Sequence, residues 1–358
     1  MHTDSTGIQA PTKELVDAAL TAYSERRIHD AERIGPQYVR LRKSIDALIR
    51  VGGKRLRPLM VLSMYHAYEP TKPVEHVIPA AISQELIHLA MLVHDDIIDR
   101  DLIRYGIPNV AGYYQAYYNA HVPRTEERNH LALSAALLAG DSLMADAHQE
   151  IRRTELSPLL VQQAEDILSQ SIFDVIGGEL LDTEVGILPK GSITPLAVAE
   201  HKTSSYSFVG PLTTGAVLAE APEKDVALLA ELGKYLGIGY QLKDDLLGMF
   251  GDEAKTGKST TTDIREGKRT FMIEEFERLA SESEQAEFFA IFHRDSATDE
   301  EIALARLLLM RTGAEKAVNE RIDSYQRQCE EIVEQLTLTP EAKAWLHDFV
   351  ATCLVREK

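Results

Sequence analysis

Apolar residues recur with the spacing of amphipathic helices along almost the whole chain, whereas the alternating β-branched runs that mark strands are few. Many of these stretches, such as LALSAALLAGDSLMADA, are apolar over more than a narrow stripe, as helices are inside a bundle or at a subunit interface. The pattern predicts an all-α protein with helices at residues 12–32, 36–51, 55–68, 74–103, 127–153, 157–184, 193–220, 223–250, 268–281, 283–293, 298–334 and 340–356.

The 358 residues contain no linker between zones of different composition, so we predict one domain spanning residues 1–358. Within that domain we expect a peripheral N-terminal helix in residues 1–35, a surface loop at residues 121–130 and C-terminal helices over residues 283–358.

Charge and cysteine content exclude several classes of protein. The net charge of −18 argues against a nucleic-acid partner, because such proteins usually carry a basic excess. The two cysteines, Cys329 and Cys353, lack metal-binding spacing, which fits a reduced compartment. The chain does not open with a secretory signal pattern, and no apolar run reaches the length of a bilayer. We therefore expect a cytoplasmic protein that is not integral to a membrane.

Four aspartates crowd into residues 94–101, HDDIIDRD, directly after the apolar stretch QELIHLAMLV. On a helix, Asp95 and Asp99 lie one turn apart on one face, and His88 lies on the same side. Like charges at this spacing destabilise a helix unless positive charge offsets them. The offset could come from neighbouring arginines at a solvated helix end, or from a hard divalent cation such as Mg²⁺.

A second acidic pair, Asp244 and Asp245, follows the apolar stretch ELGKYLGIGY and shares a helical face with Gln241. Two helices that each end in carboxylates could face each other across a cavity and hold metal ions around one diphosphate. Basic residues beside glycines or at predicted helix ends suggest anion recognition. These residues are Lys54, Arg55, Arg57, Lys202, Lys258, Lys268 and Arg269.

The order of these motifs resembles that of the trans-isoprenyl diphosphate synthases, the polyprenyl synthetase family. The series is GGKRLRP, ELIH, HDDIIDRD, RYGIPN, KTSSYSF, YQLKDDLLGMFGD, TGKS and REGKRT, from about residue 40 to about residue 275. The resemblance implies a single bundle around a deep central cavity, the isoprenoid synthase type I fold, in a homodimer. It also implies Mg²⁺ as cofactor, with two or three ions per site.

The resemblance further implies a role for individual residues. The magnesium ligands would be Asp95, Asp99 and Asp244, with Asp96 in support. The residues that bind isopentenyl diphosphate would be Lys54, Arg57 and His88. The residues around the allylic diphosphate would be Arg104, Lys202, Thr203, Gln241 and Lys258, and Lys268 would help to close the site.

Two departures from the family pattern stand out. Tyr105 replaces the second arginine of the RRGxP motif, and Asn109 replaces the threonine that usually follows the proline. The lost arginine usually helps to hold isopentenyl diphosphate, so the resemblance implies a changed subsite for that substrate. Gly248 replaces the last aspartate of the second DDxxD motif, and Asp252, four residues later, could approach the metal shell instead.

The implied reaction joins isopentenyl diphosphate to dimethylallyl, geranyl or farnesyl diphosphate in the 1′-4 trans sense. Residues before Asp95 would line a shaft for the growing product, with Met91 ~6 Å and Ile87 ~12 Å along the helix axis. Ala90 is small, and in the family a bulky aromatic residue there tends to stop growth early. We therefore expect the twenty-carbon geranylgeranyl diphosphate, with a longer product, hexaprenyl or greater, as the alternative.

Three other functions compete with this one. A weakly active or non-catalytic partner subunit of a heteromeric synthase is favoured by Tyr105 and Gly248 but not by the intact aspartate clusters. A class I terpene cyclase would carry a different second metal motif and would not need GGKRLRP. A dinucleotide site is suggested only by GIG at residues 237–239, which is weak in a chain with so few strands.

Overall fold

The computed structural model describes residues 11–251, 262–294 and 296–355. Helices dominate these residues, and the only strands among them form one short hairpin, so the all-α fold class is confirmed. The chain divides into two compact units, Met1–Ile172 with Gly210–Pro222, and Phe173–Val209 with Glu223–Lys358. The single domain over residues 1–358 stays a prediction.

The first unit contains most of the N-terminal helices. They are α1 (Lys13–Glu32), α2 (Pro36–Val51), α3 (Leu56–Tyr68), α4 (Ile78–Ile98), α5 (Val110–Tyr118), α6 (Thr125–Ile151), the first half of α7 (Pro158–Val185) and α9 (Gly210–Leu218). A short 3₁₀ turn, Val74–Val77, precedes α4.

The central helix of this unit is α4, which packs mainly against α6 and α3. Contrary to the expectation from the sequence that no apolar run reaches the length of a bilayer, the stretch Val74–Ile98 is long and apolar enough to span a membrane. However, 67% of its most apolar window is buried within the protein. That burial is typical of the core helix of a globular fold. Pro79 is the second residue of the helix, in the first turn, where its missing N–H would have no helical partner.

The helix expected over residues 74–103 ends earlier, at Ile98, because the chain turns into a hairpin. Strand β1 (Ile103–Arg104) pairs with β2 (Ile107–Pro108) across the two-residue turn Tyr105–Gly106. Both turn residues have positive φ, 54° and 78°, as a type I′ turn requires. The hairpin therefore fixes where Arg104 lies.

The loop after α5 is shorter than the surface loop expected at residues 121–130. Helix α6 begins at Thr125, with Glu126 and Glu127 in its first turn. Acidic side chains there interact favourably with the positive end of the helix dipole, so residues 125–130 are helical.

The second unit contains the end of α7 and the C-terminal helices. They are α8 (Pro195–Val198), α10 (Glu223–Phe250), α11 (Thr262–Glu266), α12 (Phe271–Leu279), α13 (Glu282–Phe289), α14 (Asp299–Arg311), α15 (Ala314–Gln335) and α16 (Pro340–Leu354). A π-helix, Ala199–Val209, follows α8 directly and packs against α10.

In two places the observed helices differ from those predicted from the sequence. Residues 298–334 form two helices rather than one, because Gly313 adopts a left-handed conformation, φ 86°, and ends α14. Residues 193–220 are helical as expected, but 11 of them wind as a π-helix. Such segments are rare and are often found at functional sites.

Candidate active site

The first aspartate cluster lies at the C-terminal end of α4 in the first unit. Asp95 is partly exposed, Asp96 is buried, and Asp99 is the exposed C-cap, whose N–H donates to the Asp95 carbonyl at 2.8 Å. The predicted i, i+4 relationship of Asp95 and Asp99 is therefore present. Both carboxylates lie where an apolar helix reaches its polar end.

Arg104 returns from the hairpin to this cluster. Its Nε donates to Asp96 Oδ1 at 2.9 Å, and its Nη2 donates to Asp95 Oδ2 at 3.2 Å. Burial raises the pKa of Asp96 to about 6, and the Arg104 guanidinium opposes that rise. An arginine thus offsets part of the negative charge, which was one of the two explanations that the sequence left open.

His88 lies two turns before Asp95 on α4 and is surrounded by positive charge. Burial, followed by the charges of Arg57, Arg104 and Arg55, lowers the pKa of His88 well below its usual value of 6.5. The imidazole is therefore neutral near pH 7 and can donate one hydrogen bond. The structure therefore places His88 of α4 close enough to Arg57 of α3 to be affected by its charge, and both residues are expected to bind isopentenyl diphosphate. Lys54, which lies just before α3, is exposed.

Arg55 was expected, with the neighbouring basic residues, to take part in anion recognition, but its guanidinium is bonded within the protein. It is 3% exposed and has a left-handed backbone, φ 52°. Its guanidinium donates to Asp17 Oδ1 of α1 at 2.9 Å, Glu85 Oε1 of α4 at 2.6 Å and the Ile49 carbonyl of α2 at 2.6 Å. Residues 52–57, GGKRLR, are called the basic loop below. Arg55 ties this loop to three helices, and Lys54 and Arg57 lie on either side of Arg55 in the sequence.

In the second unit, the π-helix and α10 are joined by a chain of hydrogen bonds. The Thr203 hydroxyl donates to Gln241 Oε1 at 2.7 Å, and Gln241 Nε2 donates to Asp245 Oδ1 at 2.9 Å. Burial, followed by the charges of Asp244 and Asp263, raises the pKa of Asp245 to about 7. The expected residues Thr203, Gln241 and Asp245 are thus directly linked, with Asp244 beside them.

Lys202 is held by two acidic residues that the sequence analysis missed. Its Nζ lies 3.1 Å from Glu179 Oε1 and 2.6 Å from Asp182 Oδ2, both on α7. The two carboxylates are three residues apart in GGELLD, so their shared face was a readable signal. They fix the direction of the Lys202 side chain.

Three glycines let α7 and α10 approach the π-helix closely. A Cβ atom on Gly178 would overlap the backbone of His201 and Lys202, and one on Gly237 would overlap Ser204. Gly233 similarly faces the backbone of Val209. The π-helix therefore lies against two helices with almost no side chain between them at these points.

Several predicted site residues remain to be placed. Lys268 Nζ lies 3.9 Å from Asp263 Oδ1, while Lys258 and Asp252 lie outside the described residues. The residues expected to line the product shaft are all on α4: Ile87 and Ala90 are buried and Met91 is partly exposed.

The donor set suits magnesium. Among the described residues, no group of three or more His, Cys, Asp or Glu side chains already surrounds a single point. Mg²⁺ does not require such a cage, because it keeps several waters and binds through one or two carboxylates together with substrate phosphates. Asp95, Asp99 and Asp244 offer oxygen ligands of this kind.

Comparisons with known proteins agree with this chemistry. A family model described as polyprenyl synthetase matches residues 39–308. Geranylgeranyl diphosphate synthase of Methanosarcina mazei is 31% identical over 301 residues, which cover 84% of this chain and 85% of that protein. Farnesyl diphosphate synthase of Bacillus subtilis is 28% identical over 277 residues, or 74% of this chain and 83% of that protein.

The fold also resembles a solved structure. It is that of geranylgeranyl pyrophosphate synthase from Corynebacterium glutamicum, complexed with isoprenyl diphosphate and magnesium. The TM-score is 0.86 at 29% sequence identity, and the match covers 95% of this chain and 97% of that one.

Proposed function

Because the chain belongs to the polyprenyl synthetase family and is a magnesium-dependent prenyltransferase of isoprenoid biosynthesis, we propose that it makes geranylgeranyl diphosphate. It would do so by condensing isopentenyl diphosphate with an allylic diphosphate in the 1′-4 trans sense, in the cytoplasm. The observation that carries the proposal is that the matched region, 39–308, contains both aspartate clusters, the first at the end of α4 and the second in the last two turns of α10.

In this proposal the magnesium ligands are Asp95 and Asp99 of α4 and Asp244 of α10, with two or three ions per site. Bound Mg²⁺ stabilises negative charge on a departing diphosphate. Arg104 keeps Asp96 and Asp95 in place through its guanidinium, which is itself positioned by the hairpin. This arrangement supports a metal-binding role for the first aspartate cluster, because Arg104 orients two adjacent carboxylates before any ligand binds.

The allylic carbon becomes cationic when its C–O bond breaks. Thr203 uses its hydroxyl hydrogen to bond with Gln241, so its oxygen lone pairs remain available to face positive charge. Asp245 holds the amide of Gln241, which fixes the direction of the Thr203 hydroxyl. Lys202, oriented by Glu179 and Asp182, and Lys258 would contribute positive charge to the leaving diphosphate, with Lys268 closing the site.

Isopentenyl diphosphate would bind at Lys54, Arg57 and His88. Two cations and one neutral donor suit a diphosphate, and the low pKa of His88 keeps the imidazole available as a donor without adding charge. Tyr105, which replaces an arginine of the family pattern, is 51% exposed and supplies no positive charge. Recognition of this substrate would therefore depend on the basic loop that Arg55 anchors.

The proposed product length depends on α4. Ala90 is fully buried, at 0% exposed, so its methyl group is already packed against its neighbours in the structure. The proposal of growth beyond fifteen carbons therefore depends on the absence of a bulky aromatic side chain at position 90. A hexaprenyl or longer product is the second candidate, because small side chains at Ala90 would equally allow further elongation.

We also propose that the enzyme is a homodimer. Within the first unit, α6 exposes Leu137 and Leu138, the latter at 59%. Within the second unit, α7 exposes Phe173 at 74%, together with Ile176 and Leu180. Exposed apolar side chains repeated along a helix are typical of an interface, and a second copy of the chain would bury them.

The test is incubation of the purified chain with labelled isopentenyl diphosphate, Mg²⁺ and each of dimethylallyl, geranyl and farnesyl diphosphate. Twenty-carbon product from the chain alone is expected. A requirement for a second protein would support the partner-subunit alternative, and a cyclic hydrocarbon would contradict the proposal. Longer products would select the second candidate.

A further inference from the structure

The last position of the second aspartate cluster carries no side chain, because residue 248 is glycine. Gly248 lies four residues after Asp244 on α10, so the two positions share one face, a turn apart. A Cβ atom on Gly248 would overlap the Oδ2 atom of Asp263. A carboxylate from another segment therefore occupies the space that a side chain at 248 would need.

Asp263 is well placed to keep that position. It lies on α11, and its side chain is 19% exposed. Its Oδ1 atom is 3.9 Å from Lys268 Nζ, and its carbonyl accepts a hydrogen bond from the Lys268 N–H at 3.1 Å. Gly267, at φ 73°, provides the left-handed turn that brings Lys268 back. One carboxylate oxygen thus faces the lysine and the other faces α10.

Asp263 also lies close to the rest of the cluster. Its Oδ2 atom adjoins Gly248, which follows Asp244 by four residues and Asp245 by three on α10, and its Oδ1 atom faces Lys268. Three carboxylates and one lysine therefore occupy one region of the second unit. Two of these carboxylates belong to the motif DDLLG. The third, Asp263, lies 15 residues after the glycine of that motif, outside the spacing of a DDxxD motif.

Building on the proposed magnesium-dependent function, we infer that Asp263 replaces the aspartate that the second cluster lacks at position 248. Glycine at 248 is what gives its carboxylate room. Mg²⁺ retains bound waters, so a carboxylate beside the direct ligand acts by orienting those waters and the ligand. An aspartate introduced at 248 would therefore not improve this site, because it would displace Asp263.

The inference is tested by metal binding, with Mn²⁺ and inorganic pyrophosphate as the probes and the electron paramagnetic resonance signal of free Mn²⁺ as the readout. Asp263→Asn is expected to weaken binding of the most weakly held ion about tenfold. Gly248→Ala should weaken it as well, because the new methyl group displaces Asp263. The double variant Gly248→Asp/Asp263→Ala should recover most of the loss, since the carboxylate returns from α10.

The matched control is Glu282→Gln, which removes one negative charge from the exposed first turn of α13 and should leave Mn²⁺ binding unchanged. Circular dichroism at the same temperature checks that each variant is folded. Wild-type binding by Asp263→Asn would overturn the inference, and so would tighter binding by Gly248→Asp than by the double variant. If the wild-type protein and Asp95→Asn bind Mn²⁺ and pyrophosphate equally poorly, the proposed function itself fails and the inference falls with it.

Discussion

Thr203 of the π-helix donates a 2.7 Å hydrogen bond to Gln241 of α10, which in turn donates to Asp245. The hydroxyl proposed to face the allylic cation and the second aspartate cluster are therefore parts of one hydrogen-bonded chain. A substitution at Thr203 should therefore affect the orientation of Asp245, and a substitution at Asp245 should affect the Thr203 hydroxyl. This relationship motivates the first prediction.

Replacing Thr203 with valine should lower kcat by on the order of 10², because the isosteric side chain has no oxygen to face developing positive charge. The KM for isopentenyl diphosphate should change little, since that substrate is proposed to bind elsewhere. Steady-state kinetics with geranyl diphosphate measures both. Thr203→Ser keeps the hydroxyl and is the control; a valine variant as fast as the serine variant would remove Thr203 from the mechanism.

Replacing Ala90 with phenylalanine should shorten the product to fifteen carbons, because the aromatic ring would enter the proposed shaft about 1.4 turns before Asp95. Some loss of stability, about 1–3 kcal/mol, is expected from overpacking a fully buried site. Product sizing by chromatography gives the answer. Ala90→Gly serves as the control, and an unchanged product from the phenylalanine variant would mean that the shaft does not pass this residue.

Asp96 should make stability depend on pH. Its pKa is about 6 in the folded protein and near 3.8 when unfolded, so the folded state holds a proton that the unfolded chain releases between these values. Stability should therefore fall as pH rises from about 4 to 6. At about 1.4 kcal/mol for each pH unit, the loss reaches about 3 kcal/mol.

Asp96→Asn removes this titration. Urea unfolding in EDTA at pH 4.5 and 7.5 should show the variant gaining stability relative to the wild-type protein as pH rises. A constant difference between the two proteins at both pH values would show that Asp96 ionises normally in the fold.

Arg55→Ala should lower the free energy of unfolding by about 3–5 kcal/mol, because the buried Glu85 carboxylate loses its ion pair. The double variant Arg55→Ala/Glu85→Ala should be more stable than Arg55→Ala alone, since no charge is left buried. Urea denaturation compares the three proteins. An additive loss in the double variant would mean that the two residues act independently.

The same residue should affect substrate binding. Asp17→Asn removes one anchor of Arg55 at the surface of α1, and we expect a higher KM for isopentenyl diphosphate with an unchanged KM for the allylic substrate. Lys13 also pairs with Asp17, so Lys13→Ala is the matched control for loss of charge on α1. Equal KM values in both variants and the wild-type protein would contradict a role of Arg55 in orienting the basic loop.

Much of the fold could be predicted from periodicity, because long apolar helices such as α4 and α10 carry a strong signal. The irregular segments could not be predicted in this way. The hairpin at residues 103–108 has strands of two residues, too short for any alternating pattern. The π-helix at Ala199–Val209 depends on close approach of Gly178 and Gly237, which belong to other helices.

The candidate site shows the same division. Asp95 and Asp99 could be identified because they are local to one helix. The roles of Arg55 and Asp263 could not be predicted, because their partners lie far away in the chain: Asp17 and Glu85 for the arginine, and Gly248 for the aspartate. Local spacing reveals which residues share a helical face, but it does not reveal which segments meet.

The glycine contacts of the π-helix have a consequence for attempts to redesign this enzyme. Any substitution at Gly178, Gly233 or Gly237 would add atoms where backbone already lies, and the segment bearing Lys202 and Thr203 would have to shift. Directed-evolution libraries aimed at new product lengths should therefore leave these three codons fixed and diversify α4 instead, where side chains rather than main chain fill the space.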